Sequence, residues 1–155
     1  MPEIGRKVYQ EAASALLQTS GFQTEAVQLC RLLAKKSTRR LYIDVAGKNL
    51  PYYGSRGQLA FPWETHIKAE RLNALEGAAA HRGAEAWLIF CYAVLEPNYA
   101  VHFQLTANVV GTDFGLKCIR AADYRCHMQP RSPSWDVVEL PRKEVLRLTC
   151  DVKDI

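Results

Sequence analysis

The spacing of apolar residues along the chain predicts alternating helices and strands. Apolar positions three and four residues apart predict a helix over 5–19, with Gly21 as its stop. The same period predicts a second helix between 66 and 82, capped by Gly83. Strands are predicted for the apolar runs 22–34, 41–47, 58–64, 86–95 and 99–105, with a helix as the alternative for the first of them.

The run 86–95 is apolar at nearly every position, which is typical of a central strand covered on both faces. The order of elements predicts an α/β fold. Its mixed sheet is flanked by helices, and the helix between 66 and 82 makes the crossover.

The composition is that of one folded domain. The chain has 155 residues, of which 48% are hydrophobic and 23% charged, and this excludes a disordered chain. We expect a single domain over 1–155, with a core at about 5–105 and an irregular C-terminal part at 106–155.

No apolar run is long enough for a bilayer, and the first ten residues hold no signal-peptide core. Five scattered cysteines suggest reduced thiols, so we expect a cytoplasmic protein without a membrane partner.

The formal net charge of +4 is unevenly spread, and it points to a nucleic-acid partner. Four basic residues lie in one short stretch: Lys35, Lys36, Arg39 and Arg40. Such a cluster is typical of surfaces that meet phosphate groups, and a solvated turn is the alternative.

The predicted hairpin loop 49–57 carries further candidates for contacts with nucleic acid. Tyr52, Tyr53 and Arg56 have side chains that can stack on bases or contact the phosphate backbone. A plain exposed loop is the alternative.

Two carboxylates lie on the predicted strands around this loop. Asp44 lies inside 41–47, and Glu64 ends 58–64. If these strands pair as a hairpin, the carboxylates converge and repel each other unless a cation lies between them, which predicts Mg²⁺ with oxygen ligands. In the alternative, Asp44 bonds local backbone and Glu64 is the acid at the start of the next helix.

Five motifs follow one another in a recognisable order: GRKVYQEAASALLQTSGF, IDVAG, LAFPWETH, AERLNAL and HRGAEAWLIFCY. This order resembles the PD-(D/E)xK nuclease superfamily, in particular the archaeal-type Holliday-junction resolvases, over about residues 5–105. That family has a first helix with a glutamate followed by GF, a strand with Asp, a strand with Glu-x-Lys, a helix, and a strand introduced by a similar GAE-W phrase. The resemblance implies a restriction-endonuclease-like mixed sheet flanked by helices.

The resemblance also implies roles for single residues. Asp44 matches the metal-binding aspartate and Glu64 the glutamate of the Glu-x-Lys pair. Glu11 matches the helix glutamate, which assists through a metal-bound water. The chain departs from the family at His66, which stands where the family has lysine. A neutral His66 can still orient or deprotonate a water, and Lys68 can reach in from the first turn of the helix.

The implied chemistry is hydrolysis of a phosphodiester bond. One or two Mg²⁺ ions, for which Mn²⁺ can substitute, would be held by Asp44, Glu64 and the carbonyl of Thr65, and they would activate a water and polarise the phosphate. A competing register uses Asp44 and Lys48 and resembles the bacterial resolvase phrase, but it has Ala46 where a metal-binding glutamate should stand.

The first interpretation is therefore a Mg²⁺-dependent endonuclease. The resemblance to resolvases further implies that it acts on branched DNA and as a homodimer, because cutting two strands symmetrically needs two sites. The alternative is a nuclease-fold protein that binds nucleic acid or a protein partner and cuts weakly or not at all, which His66 favours. A third possibility is a metal-free structural α/β domain whose acids are incidental.

Overall fold

The computed structural model of the protein describes residues 3–53, 59–131 and 133–155. In chain order, its helices and strands are α1 Arg6–Thr19, β1 Gln23–Gln28, β2 Arg31–Lys36, β3 Arg39–Leu50, β4 Tyr52–Tyr53, β5 Leu59–Phe61, β6 Ile67–Lys68, α2 Ala69–His81, β7 Glu85–Val94, β8 Ala107–Val109, β9 Thr112–Arg120, α3 Ala121–His127, β10 Gln129–Pro130, β11 Val137–Glu139 and α4 Val145–Leu148. Three short 3-10 turns lie at Pro97–His102, Arg142–Glu144 and Val152–Asp154.

In the described part of the chain, the main sheet has the strand order β1-β2-β3-β7-β9-β8. β3 and β7 are parallel, and the other neighbouring pairs of this sheet are antiparallel. α2 makes the crossover between the two parallel strands. The predicted mixed α/β sheet flanked by helices is thus confirmed. No helix in these residues is both long and apolar enough to cross a membrane.

The two faces of the sheet carry separate hydrophobic clusters. β3 contributes Ile43 to the cluster with α1, and it contributes Tyr42 and Ala46 to the cluster with α2 and α3. Because side chains alternate along a strand, Asp44 and Lys48 share the α2 face with Tyr42 and Ala46. The candidate site therefore lies on the face that α2 covers.

Two predictions about the first strands are wrong, one on the number of strands and one on their pairing. The run 22–34 forms two strands, because the backbone reverses at Cys30, which has a φ of 68°. The strand with Asp44 pairs with β2 and β7, and does not form a hairpin with the segment before Glu64. Glu64 itself follows β5 on irregular backbone.

Two further predictions, on the C-terminal half, are also wrong. The predicted strand 99–105 is mostly a 3-10 turn that begins at Pro97, whose ring fixes φ and removes an N–H donor. Residues 107–120, expected to be irregular, form β8 and β9 of the main sheet. The apolar run of β9 is interrupted by the buried Lys117. Its ammonium donates to Asp151 Oδ1 at 2.8 Å, and this ion pair compensates for the burial of the charge.

Gly47 allows α1 to pack closely on β3. A Cβ at this position would lie 2.3 Å from Cδ2 of Tyr9, and the Tyr9 hydroxyl is fixed by donating to Asn49 Oδ1 at 3.0 Å. We expect Gly47→Ala to lower the free energy of unfolding by about 1–3 kcal/mol, because the ring cannot move aside freely. Gly77→Ala in α2 is the matched control, since a Cβ there meets nothing within 4 Å.

The control should raise the free energy of unfolding by roughly 0.5–1 kcal/mol, because alanine is the better helix former. Urea unfolding of both variants measures the difference. Equal changes in the two variants would show that Tyr9 does not need the space at Gly47.

Candidate functional site

Asp44 is fully buried near the middle of β3 and is paired with arginine. Arg71 of α2 donates from Nε to Oδ2 and from Nη2 to Oδ1, both at 2.6 Å. Arg31 lies opposite Asp44 in the β2–β3 pair, with its Nη2 3.7 Å from Oδ2. Both carboxylate oxygens are therefore engaged, and two guanidinium groups offset the charge.

Glu64 is also buried, and its two carboxylate oxygens differ in their hydrogen-bond partners. Oε2 lies 2.6 Å from His66 Nδ1 and 2.6 Å from Arg131 Nη1, which donates to it. Oε1 has no hydrogen-bond partner among the described residues. Burial raises the pKa of Glu64, but the hydrogen bond from His66 and the charge of Arg131 outweigh burial and lower that pKa. Because an ionised carboxylate only accepts, His66 Nδ1 is the donor.

Lys48 connects β3 to the segment that carries Glu64. It lies four residues after Asp44 on the same face of the strand, and its ammonium donates to the carbonyl of His66 at 2.7 Å. Burial lowers the pKa of Lys48 to about 8, against the opposing effect of the Glu64 charge. Lys48 belongs to the competing sequence register. Its ammonium lies next to His66, the residue that stands in place of the expected lysine.

A cavity of about 580 Å³ opens beside these groups. Its basic lining side chains include Arg6, Lys48 and Arg71, and Glu3 is the acid that lines it in the described part of the chain. This volume suits a small ligand or part of a larger one. The balance of charge in its wall favours an anion.

The structure separates several of the predicted catalytic residues from this cavity. Asp44 and Glu64 do not line the cavity themselves, but their partners Arg71 and His66 do. Glu11 is exposed and lines a different groove, between α1 and the β1–β2 pair. Lys68 is exposed at the start of α2 and is not among the residues that line the cavity.

Thr65 is held by the core beside α3. Its carbonyl accepts a hydrogen bond from the buried Tyr124 hydroxyl at 2.7 Å, and its Oγ1 accepts from the Leu140 amide at 3.0 Å. The carbonyl that was expected to bind a metal therefore already accepts one hydrogen bond.

The four clustered basic residues divide between the two faces of the β2–β3 pair. Alternation puts Lys35 and Arg40 on the α2 face, where they are exposed. Lys36 lies on the other face, with its ammonium 5.3 Å from the ring centre of Phe22. Arg39 makes a two-point ion pair with Glu85 at 2.8 and 2.9 Å.

Of the aromatic and basic loop residues, Tyr52 lines the cavity. Arg56 and the side chain of Tyr53 lie outside the described residues.

Two arginines that were not predicted from the sequence extend the predicted pair Lys35 and Arg40 into a row on the α2 face. Arg31 and Arg82 both lie over the ring of Tyr42, with guanidinium carbons 5.7 and 5.1 Å from its centre. With Lys35 and Arg40 they form what we call the basic stripe. Arg31 is itself buried and approaches Asp44, so it connects the exposed members of the stripe to Arg71 and the cavity from below the surface. Contacts between distant parts of the chain create this surface, and local sequence carries no sign of them.

The carboxylates do not fit a divalent cation as they are arranged. Such an ion takes several free oxygen ligands. Both oxygens of Asp44 and one oxygen of Glu64 are bonded to other side chains, and three guanidinium groups and an ammonium group surround the two acids. No group of three or more His, Cys, Asp or Glu able to hold a metal is found among the residues that the structure describes. Because positive groups outnumber the two acids here, the site favours an added anion over an added metal cation.

Comparisons with known proteins bear on the fold. No family model and no curated protein sequence matches the chain. Among solved structures, it is similar to Hjc of Archaeoglobus fulgidus, a Holliday junction resolvase from an archaeal hyperthermophile. The TM-score is 0.56 at 12% sequence identity, over 92% of this chain and 95% of that chain. The chain therefore has a resolvase-like fold, the fold that the order of its sequence motifs predicts.

Proposed function

We propose that this protein binds branched DNA, with the phosphate backbone lying along the basic stripe and reaching the cavity. The observation that carries the proposal is a row of positive groups on one face: Lys35, Arg40 and Arg82 are exposed, and Arg31 continues the row below the surface toward the partly exposed Arg71. The resolvase-like fold supports DNA as the polyanion, and the name of the similar protein suggests a branched form.

The arrangement of Lys35 and Arg40 supports an anionic partner on its own. The two residues are directly opposite each other in the β2–β3 register, and both are exposed. Like charges in this position destabilise a strand pair. A phosphate between them removes the repulsion, so DNA binding offsets a cost that the free protein carries.

The hairpin offers a matched test of this surface. We expect Lys35→Gln/Arg40→Gln to weaken binding of a four-way junction and to reduce the slope of log affinity against log salt by about 0.9 for each lost phosphate contact. Lys36→Gln/Arg39→Gln removes the same charge from the neighbouring register positions on the opposite face, and it should leave the slope unchanged. Fluorescence anisotropy over a salt series measures both.

Equal effects of the two double variants would overturn the proposed path. In that case net charge, and not the stripe, would determine binding.

Hydrolysis of the bound DNA by a Mg²⁺-dependent endonuclease, acting as a homodimer, is a second candidate. One observation favours it: Glu64 Oε1 is a buried carboxylate oxygen without a partner in the described residues, and buried polar atoms are normally satisfied. Hydrolysis of this kind requires Asp44 to be released by Arg71. Incubation of a junction with Mg²⁺, Mn²⁺ or EDTA distinguishes this candidate from binding alone.

A further inference from the structure

We propose that the cavity binds a phosphate group without a divalent cation, through Arg6, Lys48 and Arg71. The inference deepens the proposed function, because a DNA phosphate is one source of this group and a free phosphate compound is the other. The cavity wall combines these three cations with the acid Glu3 in its described part, and directly behind the wall Arg31 and Arg131 offset the charges of Asp44 and Glu64. A tetrahedral dianion matches that excess of positive charge.

Lys48 has unused capacity to donate hydrogen bonds. Its ammonium carries three N–H donors, and in the described residues it makes one hydrogen bond, to the carbonyl of His66. Glu64 attracts its positive charge, whereas Arg71 and Arg131 repel it. An anion in the cavity would use the remaining donors and offset the repulsion.

Arg71 is also held in a position from which it can donate to an anion in the cavity. Asp44 engages its Nε and Nη2 in the two-point ion pair, and Nη2 also donates to the carbonyl of Val45 at 2.8 Å. Its side chain is still 35% exposed and lines the cavity. Nη1 makes no hydrogen bond within the described residues, so it remains a donor for a ligand. Asp44 is then a positioning residue, which fixes the guanidinium through charge-assisted bonds.

Sulfate is the probe, because it has the shape and charge of phosphate but does not titrate near neutral pH. We expect calorimetry to detect sulfate binding in EDTA, and Lys48→Met and Arg71→Lys to weaken it by about tenfold or more through loss of a charge-assisted contact. Lys68→Met, on the exposed residue at the start of α2, is the control and should leave it unchanged. Arg71→Lys keeps the charge near Asp44, which limits the loss of stability.

The pH dependence of sulfate affinity gives an independent readout. Affinity should fall as the pH rises through about 8, where Lys48 loses its proton, and this fall should be absent in Lys48→Met. Glu64, Arg71, Arg131 and the carbonyl of His66 are the groups that surround Lys48 and remain in both proteins.

Sulfate binding that is absent in EDTA, or that all three variants retain, would overturn this inference even if the protein binds DNA. If Lys48→Met and Arg71→Lys lose both sulfate and junction DNA, the phosphate comes from DNA. If they lose sulfate but bind the junction normally, the source is a free phosphate compound. Failure of the stripe variants to affect DNA binding would count against the proposed function alone.

Discussion

Replacement of Arg71 by methionine should lower the free energy of unfolding by about 3 kcal/mol at neutral pH, because it leaves a buried carboxylate without its main partner. Asp44 has no exposed surface and would lose two hydrogen bonds of 2.6 Å. Arg31 remains, but its Nη2 lies 3.7 Å from the carboxylate. Urea unfolding with and without Mg²⁺ measures the effect.

A double-mutant cycle with Asp44→Asn isolates the interaction. Because the two side chains contact each other directly, the coupling free energy should exceed about 1 kcal/mol. A metal-site account of Asp44 gives a different result. It expects Arg71→Met to free the carboxylate, so that added Mg²⁺ would stabilise the variant more than the wild-type protein.

Replacement of Lys48 by methionine should act in the opposite direction and raise the free energy of unfolding at pH 7, by at most about 3 kcal/mol, because the lost hydrogen bond to the His66 carbonyl offsets part of the gain from removing a buried charge. Burial lowers the pKa of Lys48 in the folded protein to about 8 from an ordinary value of 10.5. The folded state therefore disfavours the charged form. That cost is fully present below pH 8 and is relieved as the pH rises toward 10.5, because the folded state then releases its proton before the unfolded state does.

The free energy of unfolding of the wild-type protein should accordingly gain a contribution from Lys48 that increases between about pH 8 and 10.5. The Lys48→Met variant should lack this contribution. Lys68→Met, at an exposed position, should change the free energy of unfolding by less than about 0.5 kcal/mol. A destabilised Lys48→Met protein would mean that the ammonium contributes to the fold. A stabilised variant that no longer binds sulfate would indicate that the charge is kept for a ligand.

The fold was predictable where a local pattern reflects burial. The apolar period of α1 and the continuous apolar run of β7 identify both elements, and Gly21 and Gly83 stop the two long helices with positive φ angles. The pattern fails where a buried polar side chain interrupts it, as Lys117 does in β9. It also fails at Cys30, where a chain reversal occurs without glycine or proline.

The candidate site was predictable only in part, because its charges are paired over long distances along the chain. Asp44 and Glu64 stand out in the sequence as acids next to apolar runs. Arg71 is 27 residues from Asp44, and Arg131 is 67 residues from Glu64, and neither differs locally from an ordinary surface arginine. The packing of α2 on the main sheet, and the pairing of β10 with β11 next to Arg131, bring these pairs together, so the change from a metal-binding to an arginine-paired arrangement is visible only in three dimensions.

The most direct test is to incubate the protein with a four-way DNA junction and a matched linear duplex, in Mg²⁺, Mn²⁺ or EDTA, while measuring binding and strand cleavage together. We expect preferential binding of the junction that persists in EDTA and is weakened by Lys35→Gln/Arg40→Gln. Binding and cleavage that both require Mg²⁺ or Mn²⁺, and that are lost in Asp44→Asn, would contradict the arginine-paired, metal-independent site.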